Sequence, residues 1–366
     1  VIYEDLREVI GTFMRGYTRP EEYKSCYIYK GKEVAISRKA ALTELMSVIC
    51  DEVYSLTPVI NNEAMNRNEI TATANNSRNK IVAALLRNEL EPNLGLTGSG
   101  QEVSIMRSTL IRTGIWEENG GLPKLNLKPT AVEHMDEMLA VIEDFIVETR
   151  QNGTMSFDEL YFRLTSAEGK IGLRKGLIPI YLAAVMHEYK REVIISDQFG
   201  QVALSAETLL QINSKPDMFT LAYLDWDPEK ESFVNRLAEN FAEYIVDAER
   251  GANSYDYVVS AMRRWYMALP KYAKESKKGA DGKKLPKAYQ DLLKLLKQNI
   301  SGNELLFEKL PKLFSMTEFQ ETLSDNVGAV KKYYDDYLKN VKRSLAKETK
   351  EVFVLPNNRD NVNKMS

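Results

Sequence analysis

Residues 156–204 read SFDELYFRLTSAEGKIGLRKGLIPIYLAAVMHEYKREVIISDQFGQVAL, and this stretch decides the expected fold. Phe157–Leu164 has the spacing of a short helix, and Leu173–Met186 is a longer, strongly apolar one. Two β-type runs then flank Asp197–Gly200, a turn whose residues tolerate positive φ. Helix, helix and β-hairpin in this order predict a winged-helix-like module, which can bind either DNA or other proteins.

Segments rich in glycine and proline separate this stretch from the rest of the chain. Asn119–Pro129 contains two glycines and two prolines, and a second break follows at Asp225–Pro228. Between the breaks, apolar residues at helical spacing from Met135 to Ile146 predict a helix, and residues 219–224 could form a strand that closes the sheet. After the second break a long helix is predicted from Thr317 to about Lys347, with an apolar seam from Leu323 to Leu345 that either packs on neighbouring helices, the favoured interpretation, or forms an intermolecular coiled coil; residues 357–366 form a polar end. The expected fold class is mainly α, with helical regions flanking a central winged-helix-like module with a small β-hairpin. The predicted domains are an N-terminal helical region with a small hairpin (1–125), a winged-helix-like domain (126–224) and a C-terminal helical domain with a long helix (225–366).

Composition indicates a cytoplasmic globular protein. The 366 residues are 44% hydrophobic and 28% charged, which is ordinary for that class. The longest apolar run, Leu177–Met186, is about half of a bilayer span, so no membrane association is expected. Cys26 and Cys50 are the only cysteines, which excludes a disulfide framework and a cysteine-based zinc site. Val1 lies inside an expected helix without an initiator Met, so we expect a piece of a longer protein, although processing would give the same start.

The segment Gly95–Glu102 is the nearest match to a phosphate-binding loop. A P-loop requires two glycines with four residues between them, then a Lys that reaches the phosphates and a Ser or Thr that binds Mg²⁺. Gln101 and Glu102 occupy those last two positions, and a glutamate repels nucleotide. We therefore expect a structural loop ahead of a helix, and no nucleotide or other cofactor bound by this chain.

No residue pattern marks a metal site or a reaction. His134 and His187 are the only histidines, and they lie far apart without a nearby cysteine. A zinc site needs a tighter set of ligands, so surface or capping roles are expected for both. The sequence also lacks a Gly-x-Ser-x-Gly elbow. We assign no catalytic residue and no metal ligand.

The strongest local excess of charge in the sequence lies between Arg263 and Lys287. This segment contains nine basic and two acidic residues, a net charge of +7 over 25 residues, and Trp265, Tyr266 and Tyr272 lie among them. Such a cluster can neutralise phosphates and stack on bases. A solvated basic loop beside core-facing aromatic residues is the favoured alternative. The candidate nucleic-acid-binding residues of this segment are Arg263, Arg264, Lys271, Lys274, Lys277, Lys278, Lys283, Lys284 and Lys287.

The predicted helix Leu173–Met186 takes the place of the recognition helix of a winged helix, but its composition fits DNA binding poorly. A helix that reads DNA exposes a polar face to the major groove. Arg174 and Lys175 are the charged residues of Leu173–Met186, so they are further nucleic-acid candidates, and most of this helix is expected to be buried. The expected wing tip, Asp197–Phe199, is not basic. A scaffolding or protein-binding winged helix is therefore favoured over a specific DNA reader.

Four segments carry a family resemblance: LMSVICDEVYSLTPVINNEAMN (45–66), GLRKGLIPIYLAA (172–184), KPDMFTLAY (215–223) and LLFEKLP (305–311). Together they resemble the region that follows the ATPase domain in very large bacterial P-loop proteins of phage defence, the group that includes the BREX-type PglY and BrxC proteins. The resemblance implies cytoplasmic anti-phage defence, with ATP bound and hydrolysed by a domain N-terminal to Val1. The Walker motifs of such proteins are absent from this sequence, so no family catalytic residue can be assigned.

The expected function is therefore a non-catalytic, protein- or DNA-docking arm of a large bacterial anti-phage defence ATPase. The rest of that ATPase or other defence-system proteins are the expected partners, and this fragment is not expected to be an enzyme. The first alternative is a winged-helix protein that binds DNA directly through residues 263–287. The second is an enzyme of unrecognised type, which a pocket lined by polar groups with perturbed pKa values would favour.

Overall fold

The computed structural model of the chain describes residues 2–19, 22, 25–120, 122–247, 249, 255–279, 283–298, 300–316 and 321–353. Helices dominate these residues, with small antiparallel sheets between them, which confirms the mainly α class. No described helix is both long enough and apolar enough to cross a membrane. Two predicted features lie outside the described residues: the start of the long C-terminal helix at Thr317 and the polar end at 357–366.

A helix–hairpin–helix unit forms the N-terminal part of the described chain. Helix α1 (Ile2–Thr18) is followed by strands β1 (Tyr27–Tyr29) and β2 (Lys32–Val34), which pair antiparallel as the predicted small hairpin. Helix α2 (Lys39–Val53) buries none of its side chains. The apolar side of α1 is exposed, whereas Leu42, Leu45 and Ile49 on the apolar side of α2 are half-buried.

The next four elements bring the chain to the first predicted domain break. Helix α3 begins after Thr71, whose hydroxyl accepts a hydrogen bond from the backbone N–H of Ala74 at 3.3 Å and so caps the helix. Helix α4 packs on α3 and continues into a π-helical turn. The elements are α3 (Ala72–Leu85), α4 (Gln101–Met106), β3 (Trp116–Asn119) and β4 (Leu122–Leu125), the two strands forming a hairpin.

The stretch that decided the expected fold and the residues on either side of it form four helices and a four-stranded sheet. Helix α5 buries the predicted stripe of Met135, Met138, Leu139, Ile142, Phe145 and Ile146. The elements are α5 (Met135–Asn152), β5 (Met155–Ser156), α6 (Phe157–Thr165), α7 (Ile178–Glu188), β6 (Val193–Asp197), β7 (Gly200–Val202), α8 (Ala206–Ser214) and β8 (Thr220–Tyr223).

Helix α7 starts at Ile178, so the predicted start at Leu173 is wrong. The reason is the close approach of the preceding turn to another part of the chain. The backbone N–H of Gly176 donates to Arg67 O at 2.9 Å, and a Cβ on Gly176 would lie 2.2 Å from Met65 O. Pro179 stands in the first turn of α7, where its missing N–H removes no intrahelical bond.

The sheet has the strand order β5–β8–β6–β7 and is antiparallel throughout. Strand β8 confirms the strand expected at 219–224. It inserts between β5 and β6, with Leu221 opposite both Met155 and Ile195. The β6–β7 hairpin therefore forms one edge of the sheet, and its turn projects from that edge.

Buried hydrophobic side chains form one continuous cluster from Ile60 to Leu221. Helix α7 lies at its centre, in contact with α3, α5 and α8. The predicted domain break at 125/126 therefore falls inside one core. The division of the chain into domains stays a prediction.

A second hydrophobic cluster runs from Phe233 to Tyr337. The predicted long C-terminal helix consists of two helices joined at Asp336, with backbone hydrogen bonds continuing across the joint. Its seam from Leu323 to Tyr337 lies in this core, so that seam packs against the same chain. The elements are α9 (Pro228–Asn240), α10 (Asp256–Ala268), α11 (Lys271–Glu275), α12 (Lys287–Lys297), α13 (Leu310–Leu313), α14 (Glu321–Asp335) and α15 (Tyr337–Phe353).

Polar contacts join the two cores beside residues 224–227. Gln201 on β7 makes two of them: its Nε2 donates to Tyr255 Oη at 2.9 Å, and its Oε1 accepts the backbone N–H of Asn303 at 3.2 Å. The indole ring of Trp226 stacks on Tyr255, with 6.1 Å between ring centroids. Two ion pairs add to the contact, Arg150 with Asp225 and Arg191 with Glu231, each at 2.8 Å.

Candidate interaction surfaces

Helix α7, the predicted recognition helix, is enclosed by its own chain. Every side chain from Ile178 to Met186 is buried. His187, the next residue, holds the end of α3: its Nδ1 lies 2.6 Å from Leu85 O, and Lys190 Nζ donates to Asn88 O at 2.7 Å. Burial lowers the pKa of His187, with a smaller contribution from Lys190, which favours the neutral ring. No side of this helix is open to a DNA groove.

The two charged candidates near α7 lie in the turn before it. Arg174 is exposed and Lys175 is half-buried, and the backbone N–H of Lys175 donates to Asn68 Oδ1 at 3.3 Å. Arg174 also lines a cleft of about 680 Å³ together with Asp51, Thr57 and Asn66. Both residues therefore lie before the helix, and not on the helix in which the sequence predicted them.

Beneath this turn lies Arg78, a buried residue that sequence reasoning missed. Its guanidinium donates to Gly176 O at 3.1 Å and to Asn75 Oδ1 at 2.7 Å. Burial lowers the pKa of Arg78 to about 10, because the charged form is poorly solvated there. Arg78 therefore fastens the start of α7 to α3. In the sequence, its position among Asn75, Asn76 and Asn79 is the only feature that distinguishes it from other arginines.

The β6–β7 hairpin is open at its tip and held at its base. Asp197 Oδ1 accepts the backbone N–H of Phe199 at 2.7 Å, which fixes the turn, and the Phe199 side chain is 83% exposed. Gln201, two residues further, is bound to Tyr255 and Asn303 of the second core. The hairpin thus presents an apolar tip to solvent, and its base faces the same chain.

The basic segment divides into residues used inside the fold and residues that face solvent. Arg263 Nη2 donates to Ile300 O, and Arg264 Nη1 to Tyr244 O, each at 2.6 Å. Lys274 donates to Met267 O at 3.1 Å and lies over the ring of Tyr266. The exposed members are Lys271, Lys277, Lys278, Lys283, Lys284 and Lys287.

Four of these lysines lie on one small hairpin. Lys278 and Lys284 form an antiparallel bridge, and the N–H of Gly279 donates to Lys283 O at 2.7 Å. The aromatic residues of the segment do not form an exposed stacking surface beside these lysines. Trp265 is fully buried, and its Nε1 donates to Asp335 Oδ1 at 2.8 Å. Tyr272, in contrast, is half-exposed. The surface therefore offers cationic charge with little stacking area.

The glycine loop leads into a helix, as predicted. Helix α4 begins directly after Gly100, and Glu102 in its first turn pairs with Lys80 at 3.0 Å. Backbone N–H groups at this helix start, together with Lys80, lower the pKa of Glu102. His134 precedes α5 and lies 2.6 Å from Glu137. In the described part of the chain, no group of three or more His, Cys, Asp or Glu residues is placed to hold a metal ion.

An apolar stripe on α1 is exposed over its whole length. Its members are between 48% and 66% exposed. Three of its members, Val9, Phe13 and Tyr17, line a groove of about 880 Å³ whose other wall is formed by residues 25–27 at the start of β1. The sequence shows this amphipathic pattern, but a pattern cannot tell which surface covers the apolar side. The stripe consists of Leu6, Val9, Ile10, Phe13 and Tyr17.

Comparisons with known proteins give no relative from which the role of these surfaces could be inferred. No family model matches the chain, no curated protein is similar to it, and no solved structure matches its fold. Function is therefore inferred from the contacts described above.

Proposed function

We propose that this chain is a non-catalytic, protein-docking arm of a large bacterial anti-phage defence ATPase, acting in the cytoplasm. The observation that carries the proposal is the enclosure of α7 by α3, α5 and α8. A winged helix that reads DNA keeps this helix free for the major groove. Here the same surface is used to build the core, which favours scaffolding or protein docking over reading of DNA.

The order of elements supports a winged-helix-like module. Helices α5, α6 and α7 are followed by the β6–β7 hairpin, and β5 lies between the first two helices, as in a winged helix. Strand β8, which follows the additional helix α8, occupies the place between β5 and β6. The module is thus extended by one helix and one strand, and both extensions enlarge its core.

Energetics argue against α7 being released to bind DNA. Ile178, Ile180, Leu182, Val185 and Met186 are fully buried. Burial of one such side chain contributes about 1.5–3 kcal/mol, so exposing five loses about 7–15 kcal/mol as an upper estimate. That is as large as the whole stability of a typical domain. Exposure of α7 therefore amounts to unfolding the module.

The link to an ATPase is supported by the resemblance of residues 45–66, 172–184, 215–223 and 305–311 to phage-defence ATPases. The exposed wing tip at Phe199 offers a contact for such a partner. The test is calorimetry of the purified chain with a separately purified ATPase domain of that protein group. We expect a complex that Phe199→Asp weakens, and no heat of binding with Mg-ATP alone. Tight binding of ATP by the chain itself would overturn the proposal.

Direct DNA binding is the second candidate, and the exposed lysines of the 277–284 hairpin favour it. Each phosphate that a lysine neutralises makes the fall of log K with log salt steeper by about 0.9. Fluorescence anisotropy with duplex DNA should therefore show binding that salt weakens. Changing Lys277, Lys278, Lys283 and Lys284 to Ala should remove most of it, whereas Lys339→Ala, an exposed lysine on α15, should not. Binding that is absent or insensitive to salt removes this candidate.

A further inference from the structure

A cleft of about 680 Å³ lies where the end of α2 and the segment after it meet the turn before α7. Ligand-binding sites in proteins usually have volumes of about 300–1,000 Å³, so this cleft is large enough to be one. Its buried members are apolar, namely Pro58, Ile60, Leu173 and Leu177, whereas its polar members are half-buried or exposed. The cleft therefore combines an apolar bottom with a polar rim.

Long-range contacts hold the two walls of this cleft together. The backbone N–H of Leu56 donates to Lys170 O at 3.0 Å, and the bond from the Gly176 N–H described above joins the same two segments. The ring of Tyr54 lies against Gly172, where a Cβ would be 2.5 Å from Tyr54 Cδ1. The walls are thus fixed before a ligand arrives, and a preformed site loses little conformational entropy on binding.

Two asparagine side chains of the cleft each use one half of the amide inside the fold. Asn66 Nδ2 donates to Ile60 O at 2.5 Å, and Asn68 Oδ1 accepts the backbone N–H of Lys175 at 3.3 Å. These bonds fix the orientation of both amides. They leave Asn66 Oδ1 as an acceptor and Asn68 Nδ2 as a donor, neither with a partner among the described residues. One acceptor and one donor match a peptide group, which carries one N–H and one C=O.

The two walls of the cleft carry charges of opposite sign. Asp51 lies in the last turn of α2, where the negative end of the helix dipole adds to its charge. Arg174 lies on the other wall, in the turn before α7. In the part of the chain that the structure describes, neither side chain forms an ion pair or a hydrogen bond. The cleft can therefore attract a ligand that carries both a cationic and an anionic group.

A peptide fits this set of groups better than a phosphate-bearing ligand does. Asp51 and the negative end of α2 repel the phosphates of a nucleotide or a nucleic acid. An extended peptide offers backbone N–H and C=O groups, and its side chains can have either sign of charge. Backbone hydrogen bonds then give affinity, and side-chain contacts give specificity.

From these observations we propose that the cleft binds an extended segment of a partner protein. A peptide group of that segment lies between Asn66 and Asn68, a basic side chain pairs with Asp51, and an acidic side chain pairs with Arg174. The cleft shares no residue with the wing tip at Phe199. This inference therefore goes beyond the proposed arm function and does not depend on it.

Fluorescence anisotropy of the full chain with short, labelled peptides tests the proposal. Each peptide has blocked ends and contains one Lys and one Glu, in either order, separated by one, two, three or four alanines. We expect one order and spacing to bind best, and the peptides with two Lys or two Glu at that spacing to bind at least 10-fold more weakly. No binding at millimolar peptide, or equal binding of the Lys–Lys peptide, would overturn the proposal.

Charge reversal at Arg174 tests the assignment of the acidic partner group. Arg174→Glu should weaken binding of the preferred peptide by about 10-fold or more, because a charge-assisted hydrogen bond is replaced by repulsion. The same variant should bind the Lys–Lys peptide more tightly than the wild type does, which a misfolded cleft would not do. Arg112→Glu is the matched control, an exposed arginine that does not line the cleft. Equal binding by the two variants would refute the assignment.

Asn68→Asp tests the contact to the peptide backbone. Aspartate keeps the oxygen that accepts the Lys175 N–H but removes the free Nδ2 donor. Peptide affinity should fall by about 3- to 10-fold, the effect of one hydrogen bond, while the urea midpoint stays that of the wild type. If Asn68→Asp binds the preferred peptide as tightly as the wild type does, no peptide group lies between the two asparagines and the proposal is wrong.

Discussion

Replacement of Gly176 by Ala is the most direct test of how α7 is held in place. The added methyl group would lie 2.2 Å from Met65 O and 2.9 Å from Arg67 O, and both are backbone atoms that cannot rotate away. The turn must therefore move, which breaks the bond from Gly176 N–H to Arg67 O and the bond from Arg78 to Gly176 O. Losing one neutral and one charge-assisted hydrogen bond costs about 2–4 kcal/mol.

Urea unfolding monitored by circular dichroism measures this loss as a change in the free energy of unfolding. Gly11→Ala is the matched control, because Gly11, like Gly176, has no positive φ, and the space around its Cβ position is open. That variant should lose no stability, since Ala is favoured over Gly within a helix. If Gly176→Ala loses no more stability than Gly11→Ala, the close approach at residues 65–67 does not fix α7, and the enclosure of this helix has another cause.

Three further predictions concern the contacts around the two cores. Gln201→Ala should lower the free energy of unfolding by about 1–3 kcal/mol in urea titrations, because it removes two hydrogen bonds to the second core. The free energy of unfolding should fall as the pH drops below about 6.5, because the pKa of His187 is lowered in the folded chain and the unfolded chain therefore binds the proton more readily. His187→Gln should remove this contribution to the pH dependence of Tm in thermal scans. Asp335→Ala should lower Tm clearly more than Asp336→Ala, because it takes the carboxylate from the nearly buried Lys331.

The sequence predicted the elements well wherever local spacing decides them. The stripe of α5, the short helix α6 and the strand that closes the sheet were all found from period and turn residues. The start of α7 was missed because it depends on Gly176 meeting the chain more than a hundred residues away. Composition gives no signal for such a long-range contact, since the apolar pattern from Leu173 onward suits a helix equally well.

The candidate surfaces were harder to predict than the elements. Nine basic residues share one segment, but Arg263 and Arg264 turn inward to backbone carbonyls, so the sequence overestimated the cationic surface. At α1 the sequence shows an amphipathic pattern but does not show that the apolar stripe is exposed. Both outcomes have one cause: a periodic pattern identifies a face of a helix, and only the packing of distant elements decides whether that face lies inside or outside.

The two junctions in this chain differ in strength. Helix α3 meets α7 through fully buried apolar side chains and the Arg78 bonds, so residues 60–223 form one body. Contacts from this body to the second core include the two hydrogen bonds of Gln201 and the ion pair Arg191–Glu231, and Arg150 pairs with Asp225 in the connecting segment; the side chains of both ion pairs are largely exposed. Exposed ion pairs contribute about 0–1 kcal/mol each, so most of this junction resembles a transient interface. A force on the C-terminal helices would therefore separate the two cores at residues 224–227 before it disturbed α7.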